Sequence, residues 1–295
     1  MSAPLPSNRP FRLLRVGVIA RPGRDTTAAL TSLSHWAVSS DVDLFGVADE
    51  GTVVPPGLPV LPPEELAGGC DLLVAAGGDG TILSALHHSA SSGVAVLGVN
   101  LGHLGFLAGV DEPELAAALA AVAGGDFRID ELTPLSIPPG TLTDVVGDGT
   151  AYNDVLFSRS PGAGPALLAV RVDGDVFARY AALGVIASTP TGSTAYNLSA
   201  GGPIISPGVA AMVVTPVAAH GRFRSPLVLP PGDQLRIEVL PGSSPIAVEL
   251  DGQLAATLER ATSVPVSLTG PAARIVRLHR GSFYRQTAHK LQAID

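Results

Sequence analysis

The segment that most constrains the fold is the run Asp71–Ala76 (DLLVAA), which stops at Gly77 and Gly78 before Thr81–His88 takes up a helical pattern. A short apolar run closed by glycine and followed by a helix is the repeating unit of an open parallel sheet covered by helices. The flanking sequence repeats it. Val16–Ala20 and Val42–Val47 read as strands around a helix over Asp25–Val38 capped by Asp25 or Thr26, and Val94–Val99 reads as another strand. Glu112–Val122, preceded by Asp111 and carrying Pro113 in its first turn, reads as a further helix.

After about residue 130 the pattern changes to short β-rich runs: Phe127–Ile137, Ala151–Ser158, Ala166–Val172, Gly184–Ser188, Leu235–Leu240, Ile246–Leu250 and Val264–Leu268. Turn clusters such as Pro138–Gly140, Pro161–Pro165, Pro230–Asp233 and Pro241–Ser244 separate them, which predicts a sheet sandwich. Within it, Thr194–Ala200 predicts one short helix, started by Ser193 or Thr194 and closed by Gly201 and Gly202. Ser282–Ile294 is amphipathic enough for a terminal helix that packs back on the first domain. The expected fold class is therefore α/β plus all-β. An open parallel-sheet domain over residues 1–130, joined by 275–295, precedes a β-sandwich domain over 131–274.

Composition removes several functions. The net charge is −8 with no basic block, so the chain lacks the Lys and Arg surface that neutralises nucleic-acid or lipid phosphates; neither nucleic acid nor membrane is an expected partner. Lys290 is the only lysine, and no glycine occurs in the five residues before it, so no Walker A loop can be built and Schiff-base chemistry is not expected. The single cysteine, Cys70, excludes an intrachain disulfide and every multi-cysteine zinc pattern, in keeping with a reducing compartment. Ser89–Val110 runs without a formal charge for long enough to span a bilayer. Its five glycines, Asn100 and His103 make it strand, glycine turn and strand instead. Met1–Arg15 lacks the apolar core of a secretory signal and is expected to be a frayed end.

Two segments carry chemistry. Gly77–Thr81 (GGDGT) opens a helix directly after a strand, where glycine backbone N–H groups and the positive end of the helix dipole suit a diphosphate. Asp79 is the odd residue there. It repels phosphate unless a metal ion bridges the two or unless it takes the proton of an attacking hydroxyl, and the other reading is a plain helix cap near Thr81. The second segment, Thr189–Pro203, puts several hydroxyls and a helix start at one turn, an anion or ribose cradle or else an ordinary capped turn. Arg222 and Arg224, around Phe223, are either phosphate-reaching or part of an exposed strand.

In order along the chain, GGDGT (77–81), GHLGFL (102–107), AYND (151–154), STPTGSTAY (188–196), SAGGPI (199–204) and LDGQ (250–253) resemble the NAD kinases. GGDGT alone is shared with lipid kinases of the diacylglycerol and sphingosine type; the threonine- and glycine-rich run with Tyr196 separates the groups. The resemblance implies a Rossmann-like first domain and a β-rich nucleotide-binding second one. It implies an enzyme that uses ATP and Mg²⁺ or another divalent metal to phosphorylate the 2′-hydroxyl of the adenosine ribose of NAD, giving NADP. Asp79 would be the general base, and Gly78, Gly80 and Thr81 would lie at the phosphates. Asn153 and Asp154 match the Asn and Glu pair that holds ribose and adenine. Thr191, Thr194, Ala195, Tyr196 and Ser199 match the adenosine-binding run, and Asp251 matches an aspartate near the phosphate end. Asp154 stands where the family usually has Glu, and Leu183 stands where Gly-Asp-Gly usually supplies an aspartate to the acceptor. These departures keep two alternatives in view: a relative acting on another nucleoside or sugar hydroxyl, and a non-catalytic dinucleotide-binding regulator. The resemblance also implies a homodimer or homotetramer; a cytoplasmic location is expected, and no residue is singled out as a metal ligand.

Overall fold

The structure is a computed structural model that describes residues 13–20, 26–47, 57–102, 105–142, 148–221, 223–259, 261–270, 272–278 and 283–292. The chain forms two compact units, one of Met1–Glu131 with Ala273–Asp295 and one of Leu132–Ala272.

In the first unit, strands β1 (Arg15–Ala20), β2 (Asp43–Val47), β3 (Val60–Leu61), β4 (Leu72–Gly77), β5 (Ala95–Asn100), β6 (Val110–Asp111) and β7 (Arg128–Leu132) alternate with helices α1 (Thr27–Ser40), α2 (Leu66–Gly69), α3 (Asp79–Ala90) and α4 (Leu115–Ala123). Every residue of β4 and β5 is buried, as expected of parallel strands covered on both faces. The sheet runs β3-β2-β1-β4-β5 and is parallel throughout that stretch. Strand order reverses between β1 and β4, the switch point beside which open α/β sheets bind ligands at the carboxyl ends of their strands. The Gly77–Thr81 turn is at the carboxyl end of β4.

Helix spacing decides what lies over the sheet. Leu33, Trp36 and Ala37 of α1 and Leu115, Ala118, Leu119 and Val122 of α4 repeat at three and four residues and join Val16, Val18, Leu72, Val74 and Leu97 in one core. Truncating Leu33 or Leu119 to alanine there costs about 2–5 kcal/mol. Helix α3 packs against β4 and β5, with Ile82, Ala85, Leu86 and Ser89 buried.

The second unit is almost entirely antiparallel. Its strands are β8 (Leu135–Ser136), β9 (Thr150–Ala151), β10 (Asp154–Arg159), β11 (Ala166–Val172), β12 (Asp175–Ala182), β13 (Gly184–Ser188), β14 (Met212–Val217), β15 (Leu227–Leu229), β16 (Leu235–Val239), β17 (Ile246–Leu250), β18 (Gln253–Leu258) and β19 (Ser263–Leu268). One six-stranded sheet runs β15-β14-β13-β10-β17-β18 and the other β12-β11-β16-β19-β8-β9. Val155, Phe157, Val185 and Val248 of the first meet Leu168, Val170, Leu235 and Ile237 of the second in one buried core, so the unit is a sandwich. Gly192–Thr194 forms a 3₁₀ turn, and the one helix of this unit among the described residues, α5 (Tyr196–Ser199), follows it and ends toward Gly201 at φ +87°.

The chain then returns to the first sheet. β20 (Ala273–Arg277) pairs parallel with β5 and lies between β5 and β7, and α6 (Phe283–Gln292) follows. The frayed end expected over Met1–Arg15 falls, up to residue 12, outside the described residues, as does His103.

Candidate active site

The phosphate-type turn differs from a simple cap. Helix α3 begins at Asp79, two residues earlier than the sequence suggests, with Gly78 in extended conformation before it. Asp79 makes no side-chain cap bond to that helix. Instead its carboxylate accepts the Phe106 N–H at Oδ2 (2.9 Å) and the Leu107 N–H at Oδ1 (3.0 Å). A Cβ on Gly105 would overlap Oδ1, so the glycine of GHLGFL and the aspartate of GGDGT require each other. Likewise a Cβ on Gly77 would overlap the Thr81 hydroxyl. Thr81 is buried, Gly78 half-buried and Gly80 exposed. The first N–H groups of α3 have no carbonyl within the helix and carry the positive end of its dipole. A carboxylate has about four lone-pair positions, so Asp79 held by two amides retains acceptor capacity for a proton.

The candidate residues of the second unit are organised by another aspartate. Asp251 sits at φ +49° in the turn between β17 and β18. Its carboxylate takes three successive backbone N–H groups: Tyr152 at 2.8 Å, Asn153 at 2.7 Å and Asp154 at 3.1 Å. Its own N–H returns to the Asp154 carbonyl at 3.0 Å. This clamp breaks the run expected as one strand over Ala151–Ser158 into β9 and β10, and turns Tyr152 and Asn153 out of the ladder. Asp251 thus holds the AYND segment from the end of the neighbouring strand.

From Asp154 onward, alternation sets the faces. Val155 and Phe157 point into the sandwich core, whereas Leu156 packs with Ile186 and Val217 on the other side of the same sheet. Asp154 shares that side, over which a cavity of about 310 Å³ opens, lined by Asn153, Asp154, Ala195, Tyr196, Glu249 and Asp251 among others. Five of those six are residues the sequence singled out; Glu249 is not. Asp154 is 6% exposed, and its carboxyl is pushed up to about 7, first by burial and then by the charges of Asp251 and Glu249. Burial similarly raises the Tyr152 phenol, with Asp148 and Asp251 adding to it.

The Thr189–Pro203 run is held by its own hydroxyls. Thr189 Oγ1 donates to the Tyr152 carbonyl (2.6 Å) and accepts the Gly192 N–H (3.0 Å). Ser193 Oγ donates to the Pro190 carbonyl and accepts the Ile205 N–H. Asn197, fully buried, donates to the carbonyls of Ser193 and Pro203 and accepts the Thr215 hydroxyl at 2.6 Å. A Cβ on Gly192 would overlap the Asn153 carbonyl, and one on Gly202 would overlap the Asn197 amide. Of the residues expected to bind, Thr194 is buried and bonded to the Thr191 carbonyl, Thr191 is half-buried, Tyr196 is 45% exposed, and Ser199 is exposed. Leu183 lies outside the cavity lining, 45% exposed where the chain passes from one sheet to the other. Arg222 lies outside the described residues, and Arg224 Nε donates to the Gly221 carbonyl. Sequence reasoning placed Thr189 and Asn197 only within the candidate cradle, and gave no role to Glu249 or to the amides of Phe106 and Leu107. The recurrence of GHLGFL with GGDGT was the one signal for those amides.

Two family models match the chain, the ATP-NAD kinase N-terminal domain over residues 61–127 and the ATP-NAD kinase C-terminal domain over 152–278. An NAD kinase of Desulforamulus reducens is 33% identical over 278 residues, covering 94% of this chain and 93% of that one. An NAD kinase of Leifsonia xyli is 35% identical over 286 residues, with 92% of each covered. Among solved structures, yeast NADH kinase complexed with NADH superposes with a TM-score of 0.79 at 26% identity, over 95% of this chain and 88% of that one. An Archaeoglobus fulgidus NAD kinase in complex with ATP shares the fold at a TM-score of 0.75 and 21% identity, over 96% of this chain and all of the other.

Proposed function

Since the chain belongs to the NAD kinase family and is therefore an ATP-dependent phosphotransferase acting on a hydroxyl of NAD, we propose that the acceptor is the 2′-hydroxyl of the adenosine ribose and that Asp79 is its base. The observation that carries this reading is the Asp79 carboxylate itself, fixed by two backbone amides at the carboxyl end of β4 with acceptor positions to spare. The hydroxyl proton passes to Asp79, its oxygen bonds to the γ-phosphorus, and the bond from that phosphorus to the bridging oxygen breaks to release ADP. Little covalent chemistry is asked of the protein beyond positioning and charge stabilisation, which is why a chain without a Walker lysine can do it.

Gly78, Gly80 and Thr81 serve the phosphates through the helix start. Asn153, Asp154, Ala195 and Tyr196 hold the adenosine part in the cavity that they line, while Thr191, Thr194 and Ser199 shape the turn beside it. Asp251 acts by clamping Asn153 and Asp154. Among the described residues no group of three or more His, Cys, Asp or Glu side chains is arranged to hold a metal ion. The Mg²⁺ or other divalent cation that we propose arrives on the ATP phosphates, its usual partners. We further propose a homodimer or homotetramer, to be read by light scattering, and a cytoplasmic location, with which the single cysteine is compatible. No helix among the described residues is long and apolar enough to cross a membrane. The alternatives of another acceptor and of a silent regulator are not favoured.

The test is purified protein with ATP, NAD and Mg²⁺, followed by an NADP-specific dehydrogenase and ³¹P NMR of the product. NADP and ADP in equal amounts, with phosphate on the 2′ carbon, is the expected result. No NADP, or phosphate on another hydroxyl, would overturn the assignment.

A further inference from the structure

Lys290 is the only lysine in the chain, and none of the roles above uses it. It stands in the last turn of α6, and its Nζ lies 3.5 Å from the centre of the Phe106 ring. Phe106 is one of the two residues whose backbone N–H groups hold Asp79. Its neighbour is secured by another cation: Arg277 of β20 donates from Nη1 to the Leu107 carbonyl at 2.8 Å, with its Nε 3.4 Å from the Asp130 carboxylate. The segment after residue 272 therefore brings two positive side chains to residues 106 and 107. Both lie within electrostatic reach of Asp79, whose charge opposes the effect of burial on each of them.

The geometry of the loop explains why such anchors are needed. The residue before Phe106 must be glycine, because the Asp79 carboxylate occupies the space of a Cβ at position 105. Glycine at 105 and again at 109 leaves the backbone more freedom than other residues would, so the aim of the two amides depends on side chains at 106 and 107. Leu107 is buried. Phe106 is only half-buried, and the ammonium of Lys290 covers its face.

We propose that Lys290 is a positioning residue for Asp79: held over Phe106, it fixes the Phe106–Leu107 amide pair on the carboxylate and keeps a positive charge beside the site of phosphoryl transfer. The proposal rests on the reading of Asp79 as the base.

The test compares Lys290→Met, Lys290→Arg, Phe106→Leu, the double variant Lys290→Met/Phe106→Leu and Asp79→Asn in steady-state NADP formation. Lys290→Met is expected to lower kcat about tenfold or more while KM for NAD and for ATP stays within about twofold. Lys290→Arg, which keeps a cation able to stack on the ring, is expected to recover most of that loss. The double variant is expected to fall no further than the worse single one, because both act through the same contact. Because the chain has one lysine, the folded wild-type enzyme gives a second route. Acetylation removes the charge and is expected to reproduce the Lys290→Met loss, whereas reductive dimethylation keeps the charge and activity; acetylated Lys290→Arg controls for the N-terminal amine. A Lys290→Met enzyme with kcat within about twofold of wild type, or losses that add in the double variant, overturns the proposal. Asp79→Asn separates the two levels. If it turns over normally, the base assignment itself fails; if it is inactive while Lys290→Met is normal, only the role of Lys290 fails.

Discussion

Replacing Asp154 by asparagine is expected to make stability less dependent on pH, in a direction opposite to that of most carboxylates. In the fold the Asp154 carboxyl is raised from 3.8 to about 7 by burial, Asp251 and Glu249. Between those values the folded protein binds a proton that the unfolded chain has lost, so stability falls as pH rises, and the loss is complete above the folded pKa. The full span of about three pKa units corresponds to about 4 kcal/mol, of which about 3 kcal/mol lies between pH 5 and pH 8.5. Asparagine is nearly isosteric and does not titrate. The free energy of unfolding of Asp154→Asn minus that of wild type is therefore expected to rise by about 3 kcal/mol from pH 5 to pH 8.5, whatever constant offset the substitution brings. Urea melts of both proteins across that range measure it. A difference that stays flat within about 0.5 kcal/mol, or that falls with pH, would refute the argument that Asp154 is buried against two acids.

Other substitutions test the clamps. Asp251→Ala leaves three backbone N–H groups without their acceptor; it is expected to destabilise the protein by about 3–5 kcal/mol in urea and to raise KM for NAD more than KM for ATP. Gly105→Ala drives a methyl group into the Asp79 carboxylate, and steady-state kinetics should show kcat reduced by about 10- to 100-fold with binding little changed. Asn197→Ala strips partners from the Ser193 and Pro203 carbonyls and the Thr215 hydroxyl, at a cost of about 2–4 kcal/mol in thermal or urea unfolding.

Local patterns carried much of this architecture, and long-range contacts account for what they missed. β4 and α3 were legible because a wholly buried strand needs an unbroken apolar run and glycine must stand where a helix and a carboxylate crowd it. The start of α3 was misplaced by two residues because an aspartate before a helix ordinarily caps it, and the amides that claim Asp79 are 27 and 28 residues away. The break at Tyr152 and Asn153 could not be read locally, since its cause, Asp251, is almost a hundred residues on. β12 was missed where Arg179 interrupts its apolar residues at an edge, and β14 because Pro216 lies within it, paired opposite Val185. β20 joins a sheet whose neighbouring strand β5 is formed some 180 residues earlier, a pairing that no local period reveals. Of the candidate site, AYND and the Tyr196 turn converge on one cavity as neighbours in space, whereas Glu249 looked like an ordinary polar residue of an alternating strand.

A single-turnover experiment tests most directly the proposed transfer of the NAD hydroxyl's proton to Asp79. Enzyme in excess over NAD is mixed with ATP and Mg²⁺ and quenched on the millisecond-to-minute scale, for wild type and for Asp79→Asn, with NAD binding to each measured separately by calorimetry. Asparagine keeps the side chain's size and an oxygen for one of the two amides but cannot take a proton. NAD is expected to bind Asp79→Asn within a few-fold of wild type while the transfer step slows by about 10²–10⁴-fold. A transfer rate within about tenfold of wild type, with binding intact, would contradict it.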